Sequence, residues 1–438
     1  MRVVRAERWF GAGKCLVRDP ETGETHLAAR LIPGELAVVE KLGESWSAQW
    51  VASEIRNASA LRSAPECPHY DAGCSGCSLL HVGFDEEQRY KRSLIAEVLQ
   101  RFADVVVPPE SVFWLGPEGR FGHRTRTSMT VAEVNGEWVM GWRHLDGTNL
   151  RIGNCRVLDS RLQGVLPGLH AALAALPVVA EATFRLHLWL EDPGPRQDRA
   201  PLKSGPTQPE IVAATDAPDL VAASLACTLR GCGVQVTPSP SIPWGQTAPF
   251  RAQFLYDWLQ HHVALPNERV LDATCGTGAM TRILARAGAA VIAVDASWPA
   301  IEAARTHPAQ QELNDRVQFR GGLISTVLPR LVKAGAQFDT VLFNPMRETL
   351  GETTMRAAAE TGAARVVYIA PAPRAAAEDI GALRRLGYEV HEVGAADMHP
   401  GTANVLMVVV MMRAGEGARF SPARGDSASG TGAQVSGE

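Results

Sequence analysis

Residues 270–278 of this 438-residue chain read VLDATCGTG, an apolar strand candidate that ends in an acid and a glycine-rich turn. A helical segment follows, and the next apolar strand candidate ends at Asp295. Glycines let the backbone approach a ligand closely, and an acid after the second strand can accept hydrogen bonds from both hydroxyls of a ribose. The stretch therefore predicts an α/β domain with a nucleotide-binding turn.

The composition of the turn indicates which nucleotide would fit. A diphosphate-binding fingerprint has a third glycine, and Thr281 stands at that position here. Asp272 could face the ammonium group of a ligand. The turn is therefore closer to an S-adenosylmethionine pocket than to a dinucleotide pocket. A plain glycine turn without a ligand is the alternative, and the two acids, Asp272 and Asp295, argue against it.

The alternation of strand and helix candidates continues through the C-terminal part of the chain. From about residue 266, seven short apolar strand candidates occur, most of them alternating with helical segments, which predicts a parallel sheet covered on both faces. The first sixty residues read as short strands with glycine turns and predict a small β-barrel. Four segments result: the barrel at 1–60, a strand-rich central domain at 61–245 with a helix near 85–104, the α/β domain at 246–413, and a disordered tail at 414–438.

Length and composition agree with several globular domains. A chain of this length has two to four domains at roughly 150 residues each. The formal net charge is −4, which excludes a uniformly basic protein but not a local basic face. No stretch reaches the ~18 apolar residues of a membrane span, and residues 1–14 do not resemble a secretory signal. These features predict a cytoplasmic protein that is not in a membrane.

Three of the eight cysteines lie within eleven residues: Cys67, Cys74 and Cys77. Cys155 follows much later in the chain, and four thiolates can hold either a tetrahedral zinc ion or a [4Fe–4S] cluster. His69 is a spare ligand candidate. Four unrelated buried thiols are the alternative, which the close spacing disfavours. The other cysteines have no such neighbours; Cys15, Cys227 and Cys232 are predicted to be small core residues.

A short basic stretch precedes Cys155. It contains Arg120, His123, Arg124 and Arg126. On a strand, Arg124 and Arg126 would lie on one side, where they could face the phosphates of a nucleic acid. An ordinary solvated strand face is the alternative interpretation of this stretch.

Together these motifs resemble the RNA uracil-C5 methyltransferase family, over about residues 1–413. That family has an N-terminal TRAM (OB-like) barrel, a cysteine motif C-P-H-F-G-x-C-G-G-C and a C-terminal class I, Rossmann-like methyltransferase sheet. Here the segment from Cys67 to Cys77 has one extra residue between its first two cysteines. The resemblance implies a [4Fe–4S] cluster rather than zinc, a ribosomal or transfer RNA as partner, and a monomer.

The family motifs also supply cofactor residues. The glutamine that lies against the methyl donor matches Gln246, and the D-P-P-R motif matches residues 344–347, which read NPMR. With the turn, the expected donor-binding set is Gln246, Asp272, Thr274, Gly276, Gly278, Asp295 and Asn344. The expected RNA-binding residues are Arg120, Arg124 and Arg126.

The sequence departs from the family pattern at the two positions where the family has its catalytic nucleophile and base. A cysteine thiolate of the family adds to C6 of uracil, and a glutamate later removes the C5 proton. The nucleophile motif Y-V-S-C-N-P aligns without a gap to residues 368–373, which read YIAPAP, so that Pro371 stands at the cysteine position. The glutamate position is Leu406. Cys275 lies in the glycine turn, where the resemblance implies a structural role; Asp379, Glu378 and His399 are other acid–base candidates.

Three hypotheses follow from the sequence. The first is an RNA-binding relative that keeps the donor pocket but does not make 5-methyluridine in the family's way. The second is an active S-adenosylmethionine-dependent RNA methyltransferase with a different target atom. The third is an iron–sulfur sensor or assembly protein that does not bind RNA, which would leave the N-terminal barrel unexplained.

Overall fold

The computed structural model describes residues 1–43, 49–178, 182–190, 211–215, 249–263 and 265–415, with isolated positions between 217 and 236. Several sequence predictions lie outside these residues. They concern Gln246, Cys227, Cys232 and the tail from residue 416 onward. The described strands form a closed barrel and two sheets.

The N-terminal segment forms the predicted barrel. Its five strands close in the order β1-β2-β3-β5-β4 around a core that includes Val4, Cys15 and Val39. Cys15 is fully buried, as expected of a small core residue. The strands are β1 (Arg2–Phe10), β2 (Lys14–Arg18), β3 (Thr25–Ala29), β4 (Leu36–Leu42) and β5 (Gln49–Asn57).

The cysteine segment and two helices follow the barrel. Helix α1 (Pro68–Asp71) lies within the cysteine segment, and α2 (Phe84–Ala103) confirms the helix that the sequence predicts near 85–104. A six-stranded sheet has the order β12-β11-β10-β7-β8-β9, and its core includes Leu162 and Leu166 of α3 (Ser160–Ala174). Its strands are β7 (Arg126–Val134), β8 (Glu137–Arg143), β9 (Asn149–Arg151), β10 (Thr183–Leu190), β11 (Ile211–Thr215) and β12 (Gln235–Val236).

All seven strands predicted for the C-terminal part are present. They are β13 (Arg269–Asp272), β14 (Ala290–Asp295), β15 (Val317–Gly321), β16 (Thr340–Phe343), β17 (Arg365–Ala370), β18 (Tyr388–Ala396) and β19 (Leu406–Arg413). The sheet has the order β15-β14-β13-β16-β17-β19-β18-β6, where β6 is Phe113–Leu115. The helices of this part are α4 (Pro249–His262), α5 (Ala279–Arg286), α6 (Trp298–Thr306), α7 (Ile324–Lys333), α8 (Glu352–Glu360) and α9 (Pro373–Arg385).

Only one strand of this large sheet departs from the predicted parallel arrangement. Strand β19 is antiparallel to both β17 and β18, whereas the other described pairs are parallel. The carboxyl ends of β13, β14, β16 and β17 therefore lie at one edge of the sheet together with the amino end of β19. We call this edge the carboxyl edge. In open α/β sheets, ligands bind at this edge.

Two elements before residue 245 pack on the C-terminal sheet. Strand β6 pairs with β18, where Gly394 leaves room for the Phe113 ring: a Cβ there would be only 2.2 Å from ring atoms. Helix α2 packs against α9, and a Cβ on Gly381 would be 3.2 Å from the carbonyl oxygen of Phe102. In space, the C-terminal unit therefore includes residues that precede the sequence boundary predicted at 245/246.

Within the described part of the chain, no helix combines the length and the apolarity that crossing a membrane requires.

Candidate functional site

The glycine turn lies at the carboxyl edge between β13 and α5. Gly276 and Gly278 have φ of 54° and 80°, in the left-handed region that favours glycine. A Cβ on Gly278 would also be 3.1 Å from Arg282 Nη1 and 3.2 Å from Ala304 Cβ. The backbone conformation thus favours glycine at both positions, and close packing adds a second reason at Gly278.

Asp295 is placed where the sequence predicts a ribose acceptor. The Gly276 backbone N–H donates to Asp295 Oδ2 at 2.8 Å, and the Ser297 N–H donates to Oδ1 at 2.8 Å. Each carboxylate oxygen can accept a further hydrogen bond. The carboxylate is therefore held in a fixed orientation beside the turn and keeps the capacity to bind two hydroxyl groups.

Asp272 is buried at the end of β13 rather than open to solvent. Its Oδ2 accepts a hydrogen bond from Thr281 Oγ1 at 2.6 Å. Burial, together with the nearby Asp295, raises the pKa of Asp272 to about 7, although Thr281 opposes the shift. A carboxyl group in this position is stabilised as the anion when a cationic group binds nearby. Thr281 replaces the third glycine of a dinucleotide fingerprint and holds this acid.

Thr274 and Asn344 are brought together, as expected if both line one pocket. The Asn344 backbone N–H donates to Thr274 Oγ1 at 2.7 Å, which ties the end of β16 to the turn after β13. The amide of Asn344 contacts Met280 Sδ at 3.9 Å. Six of the seven predicted donor residues thus lie around one turn; the seventh, Gln246, lies outside the described residues.

Three exposed apolar side chains at the carboxyl edge were not singled out from the sequence. Trp298, Leu323 and Met346 follow the ends of β14, β15 and β16 and are between 62% and 71% exposed. A Cβ on Gly321 would be 2.9 Å from the Trp298 ring, so this glycine makes room for the indole. Apolar residues directly after three successive strands are the sequence signal that could have identified this rim.

Pro371 and Leu406 both stand at the carboxyl edge. Strands β17 and β19 pair with Ala370 opposite Met407, and positions 371 and 406 are the next in that register. Pro371 is exposed, and Leu406 is partly buried against the apolar core. Neither side chain can act as a nucleophile, an acid or a base.

Two of the alternative acid–base or nucleophile candidates, Asp379 and Cys275, are already engaged in packing or hydrogen bonds within the protein. Asp379 is buried and accepts four hydrogen bonds, from the Thr349 and Tyr368 hydroxyls and the Leu350 and Gly351 backbone N–H groups. Cys275 packs in the apolar core, and burial raises the pKa of its thiol, which disfavours the reactive thiolate. His399 is partly buried, and Glu378 pairs with Arg374 on the surface of α9.

The four predicted metal-binding cysteines line one pocket. Cys67, Cys74, Cys77 and Cys155 surround it with apolar neighbours and Arg124. Every pair of these thiols interacts electrostatically, and burial raises the pKa of Cys77 to about 12 and also raises the pKa of Cys74 and Cys155. Arg124 opposes this shift at Cys77 and Cys155. Raised pKa values favour the neutral thiols, and a bound cationic centre would lower them by stabilising the thiolates.

The spacing of the cysteines bears on which centre would fit. Among the described residues, no group of three or more His, Cys, Asp or Glu side chains is placed to hold one metal ion. Tetrahedral zinc requires its sulfurs within about 3.8 Å of one another, given a Zn–S bond of about 2.3 Å. In a [4Fe–4S] cluster each thiolate binds a different iron, so that the sulfurs lie farther apart. Four thiols that line one pocket are donors that either centre accepts. His69 bonds the Asn154 carbonyl oxygen and is not needed as a ligand.

The three predicted RNA-binding arginines lie in different environments. Arg120 is only 7% exposed, and its Nε donates to Glu87 Oε2 at 2.8 Å, so it does not fit a phosphate-facing role. Arg124 precedes β7, lies over the Trp142 ring at 5.7 Å and faces the cysteine pocket. Arg126 begins β7 and is partly buried, which lowers its pKa. Arg124 and Arg126 lie on the same, less buried side of the chain, as the alternation predicts.

Comparisons with known proteins agree with this geometry. Residues 265–384 match the family model described as "Methyltransferase domain". The chain is 24% identical over 395 residues to the 23S rRNA (uracil(1939)-C(5))-methyltransferase RlmD of Chromobacterium violaceum, covering 83% of this chain and 76% of that protein. It is 26% identical over 424 residues to the same-named protein of Pseudomonas savastanoi, covering 92% and 88%.

A solved structure shows the same fold. The tRNA (uracil-54, C5)-methyltransferase of Pyrococcus abyssi, in complex with S-adenosyl-L-homocysteine, superposes with a TM-score of 0.63. The match covers 91% of this chain and 100% of that one at 20% sequence identity. The architecture predicted from the resemblance, an N-terminal barrel with a class I methyltransferase sheet, is confirmed.

Proposed function

We propose that this chain, which is similar over most of its length to RNA uracil-C5 methyltransferases, binds RNA and S-adenosylmethionine without making 5-methyluridine by covalent catalysis. The observation that carries this proposal is that Pro371 and Leu406 stand at the carboxyl edge, next in register after the Ala370–Met407 pair. Uracil C5 becomes nucleophilic enough only after a thiolate has added to C6. Proline and leucine at the two reacting positions supply neither that thiolate nor the base.

In this proposal each segment of the chain has its own binding role. The barrel at 1–60 and the basic residues Arg124 and Arg126 contact RNA, either ribosomal or transfer RNA. The central segment 61–245 holds the cluster, and the segment 246–413 holds the methyl donor. We propose a monomer in the reducing cytoplasm, where the six described cysteines, all of them free, would stay reduced.

The donor pocket gives the first test of the proposal. Replacing Asp295 with alanine should weaken S-adenosylmethionine binding about 10- to 100-fold, because two hydrogen bonds to a charged acceptor are lost. Calorimetric titration of S-adenosylmethionine into anaerobically purified protein measures the dissociation constants of the unmodified chain and of the Asp295→Ala variant. Asp315→Ala is the matched control, because this exposed acid precedes β15 at the opposite edge of the sheet. Absence of binding to the unmodified protein would contradict the proposed donor site.

The cysteine pocket fits a [4Fe–4S] cluster in which Cys67, Cys74, Cys77 and Cys155 are the ligands. Such a cluster supplies a positively charged inorganic core that binds the four thiolates and crosslinks the cysteine segment to the loop that carries Cys155. Replacing Cys74 with serine should remove most bound iron and lower solubility. Iron and acid-labile sulfide analysis measures this, with Cys15→Ser as the control outside the pocket. Unchanged iron content in the Cys74 variant would contradict the ligand assignment. One zinc ion per unmodified chain, with no iron, would show that the pocket holds a single ion instead of a cluster.

A second candidate function is methyl transfer to a different atom of RNA. The retained geometry of Asp272, Gly276, Gly278 and Asp295 favours it, since a pocket for the methyl donor is otherwise unexplained. Comparison of modified nucleosides in cells with and without the gene distinguishes the two. Loss of a methylated nucleoside would favour the second candidate over the first.

A further inference from the structure

Four parts of the chain meet in one small apolar core beside the cysteine pocket. This core contains residues of the barrel, of the cysteine segment, of α2 and of the loop at 397–405 that joins β18 to β19. The buried members are Ile32, Leu79, Val82, Tyr90 and Ala403, with Trp9 packed against them. A core shared by four segments connects them mechanically, because tightly packed interiors transmit strain.

Hydrogen bonds fix the cysteine segment to the 397–405 loop. The Leu79 backbone N–H donates to the Gly401 carbonyl oxygen at 2.9 Å, and the Ala403 N–H donates to Ser78 Oγ at 3.1 Å. Gly401 packs so closely that a Cβ there would be 3.1 Å from Leu80 and 3.9 Å from Cys77 Sγ. The residues directly after the ligand candidate Cys77 therefore hold this loop.

The barrel is fixed to the same segment. A Cβ on Gly13 would be 3.0 Å from Ser78 Oγ and 3.3 Å from Ala403 Cβ. On the other side of the pocket, the Arg30 guanidinium donates to the carbonyl oxygens of Tyr70 and Cys74, and lies over the Tyr70 ring at 4.0 Å. The barrel thus contacts the cysteine segment both before and after its central cysteines.

The 397–405 loop leads directly into Leu406, which stands at the carboxyl edge, as Pro371 does. We propose that the cysteine pocket and this part of the carboxyl edge are coupled, with Ser78 and Gly401 as the positioning residues that connect them. Loading of the pocket orders the 397–405 loop and the barrel together, so that RNA meets a preformed surface. The inference rests on the proposed cluster. Coupling of this kind is reciprocal: disturbing the loop must also weaken retention of the cluster.

Hydrogen–deuterium exchange tests the first direction. Removing iron from the full-length protein with ferricyanide and a chelator should speed amide exchange of Leu79 and Ala403 roughly threefold to tenfold, the effect of losing about one hydrogen bond. Amides of β14, in the centre of the large sheet, should be unchanged. If the purified protein contains stoichiometric iron but its amide exchange is unchanged after the iron is removed, the coupling is wrong and the proposed cluster stands. Protein that never contains iron would overturn both the coupling and the proposed cluster.

A matched pair of serine variants separates the coupling from general damage to the cysteine segment. Ser78→Ala removes the acceptor of the Ala403 N–H, whereas Ser75→Ala removes a hydroxyl that donates to the Arg143 carbonyl oxygen at 2.6 Å, away from the loop. With iron retained, only Ser78→Ala should speed exchange at Ala403. Equal effects of both variants would overturn the role of Ser78.

Glycine variants test the reverse direction. Gly401→Ala strains a residue with φ of 79° and crowds Leu80, but it changes no ligand. It should speed loss of the visible iron–sulfide absorbance in chelator roughly threefold to tenfold, because one to two packing or hydrogen-bond contacts are weakened. Gly387→Ala is the control, since Gly387 has a similar φ of 88° with nothing within 4 Å of its Cβ position. Equal rates for the two variants would overturn the coupling.

Discussion

Replacing Lys91 with methionine is expected to lower the free energy of unfolding by about 3–5 kcal/mol, the usual cost of breaking a buried ion pair from one side. Lys91 is fully buried in α2, where its Nζ lies 2.6 Å from Glu87 Oε1 and 2.8 Å from Asp397 Oδ2. Burial raises the pKa of Asp397, and the lysine opposes that shift. Methionine fills a similar volume but leaves the carboxylates short of a positive charge.

Urea denaturation, followed by tryptophan fluorescence, measures the change. The control is Arg89→Ala, which removes an ion pair between the exposed Arg89 and the partly buried Glu86 on the same helix and should cost less than about 1 kcal/mol. The double variant Lys91→Met/Asp397→Asn should recover part of the loss, since one unpaired carboxylate is then neutral. Equal stability of Lys91→Met and Arg89→Ala would contradict the interpretation of this site as a buried ion-pair network.

This network explains one limit of the sequence prediction. Arg120 is among the RNA-binding residues expected from the sequence, but it donates to Glu87 and to the Val82 carbonyl oxygen inside the network. Its partners lie 33 and 38 residues earlier in the chain. Local charge counting cannot distinguish a surface arginine from a buried one whose partner is distant in sequence. Lys91 and Asp397, separated by 306 residues, escaped notice for the same reason.

The predictions that succeeded depend on local pattern. The strand, acid and glycine turn around Gly276 and Gly278 follow from φ requirements and hydrophobic periodicity, both of which are local properties. Strand β6 shows the opposite case. Its three residues are too few to give a periodic signal, and its place depends on the space left by Gly394 of a strand nearly 300 residues away. The shared core around Ala403 likewise requires four segments to meet and has no sequence signature.

Installing a cysteine at position 371 and a glutamate at position 406 should give the largest functional change. In RNA that contains 5-fluorouridine, a thiolate that has added to C6 stays attached after methyl transfer, because fluorine at C5 cannot leave as a proton does. The unmodified chain should form no such adduct, since Pro371 offers no nucleophile. The double variant Pro371→Cys/Leu406→Glu should form one; in a protease, loss of the nucleophile costs about six orders of magnitude in rate.

Denaturing gel electrophoresis detects the adduct, with S-adenosylmethionine and transcripts of ribosomal and transfer RNA that contain 5-fluorouridine. Pro371→Ala/Leu406→Glu is the matched control, because it relieves the same proline constraint without adding a thiol. An adduct with the unmodified chain would show that another residue, such as Cys275, acts as nucleophile and would contradict the proposed function. If the cysteine variant binds RNA and the methyl donor normally but forms no adduct, then residues 371 and 406 do not face a common target. The register of β17 and β19, with Ala370 opposite Met407, argues that they do.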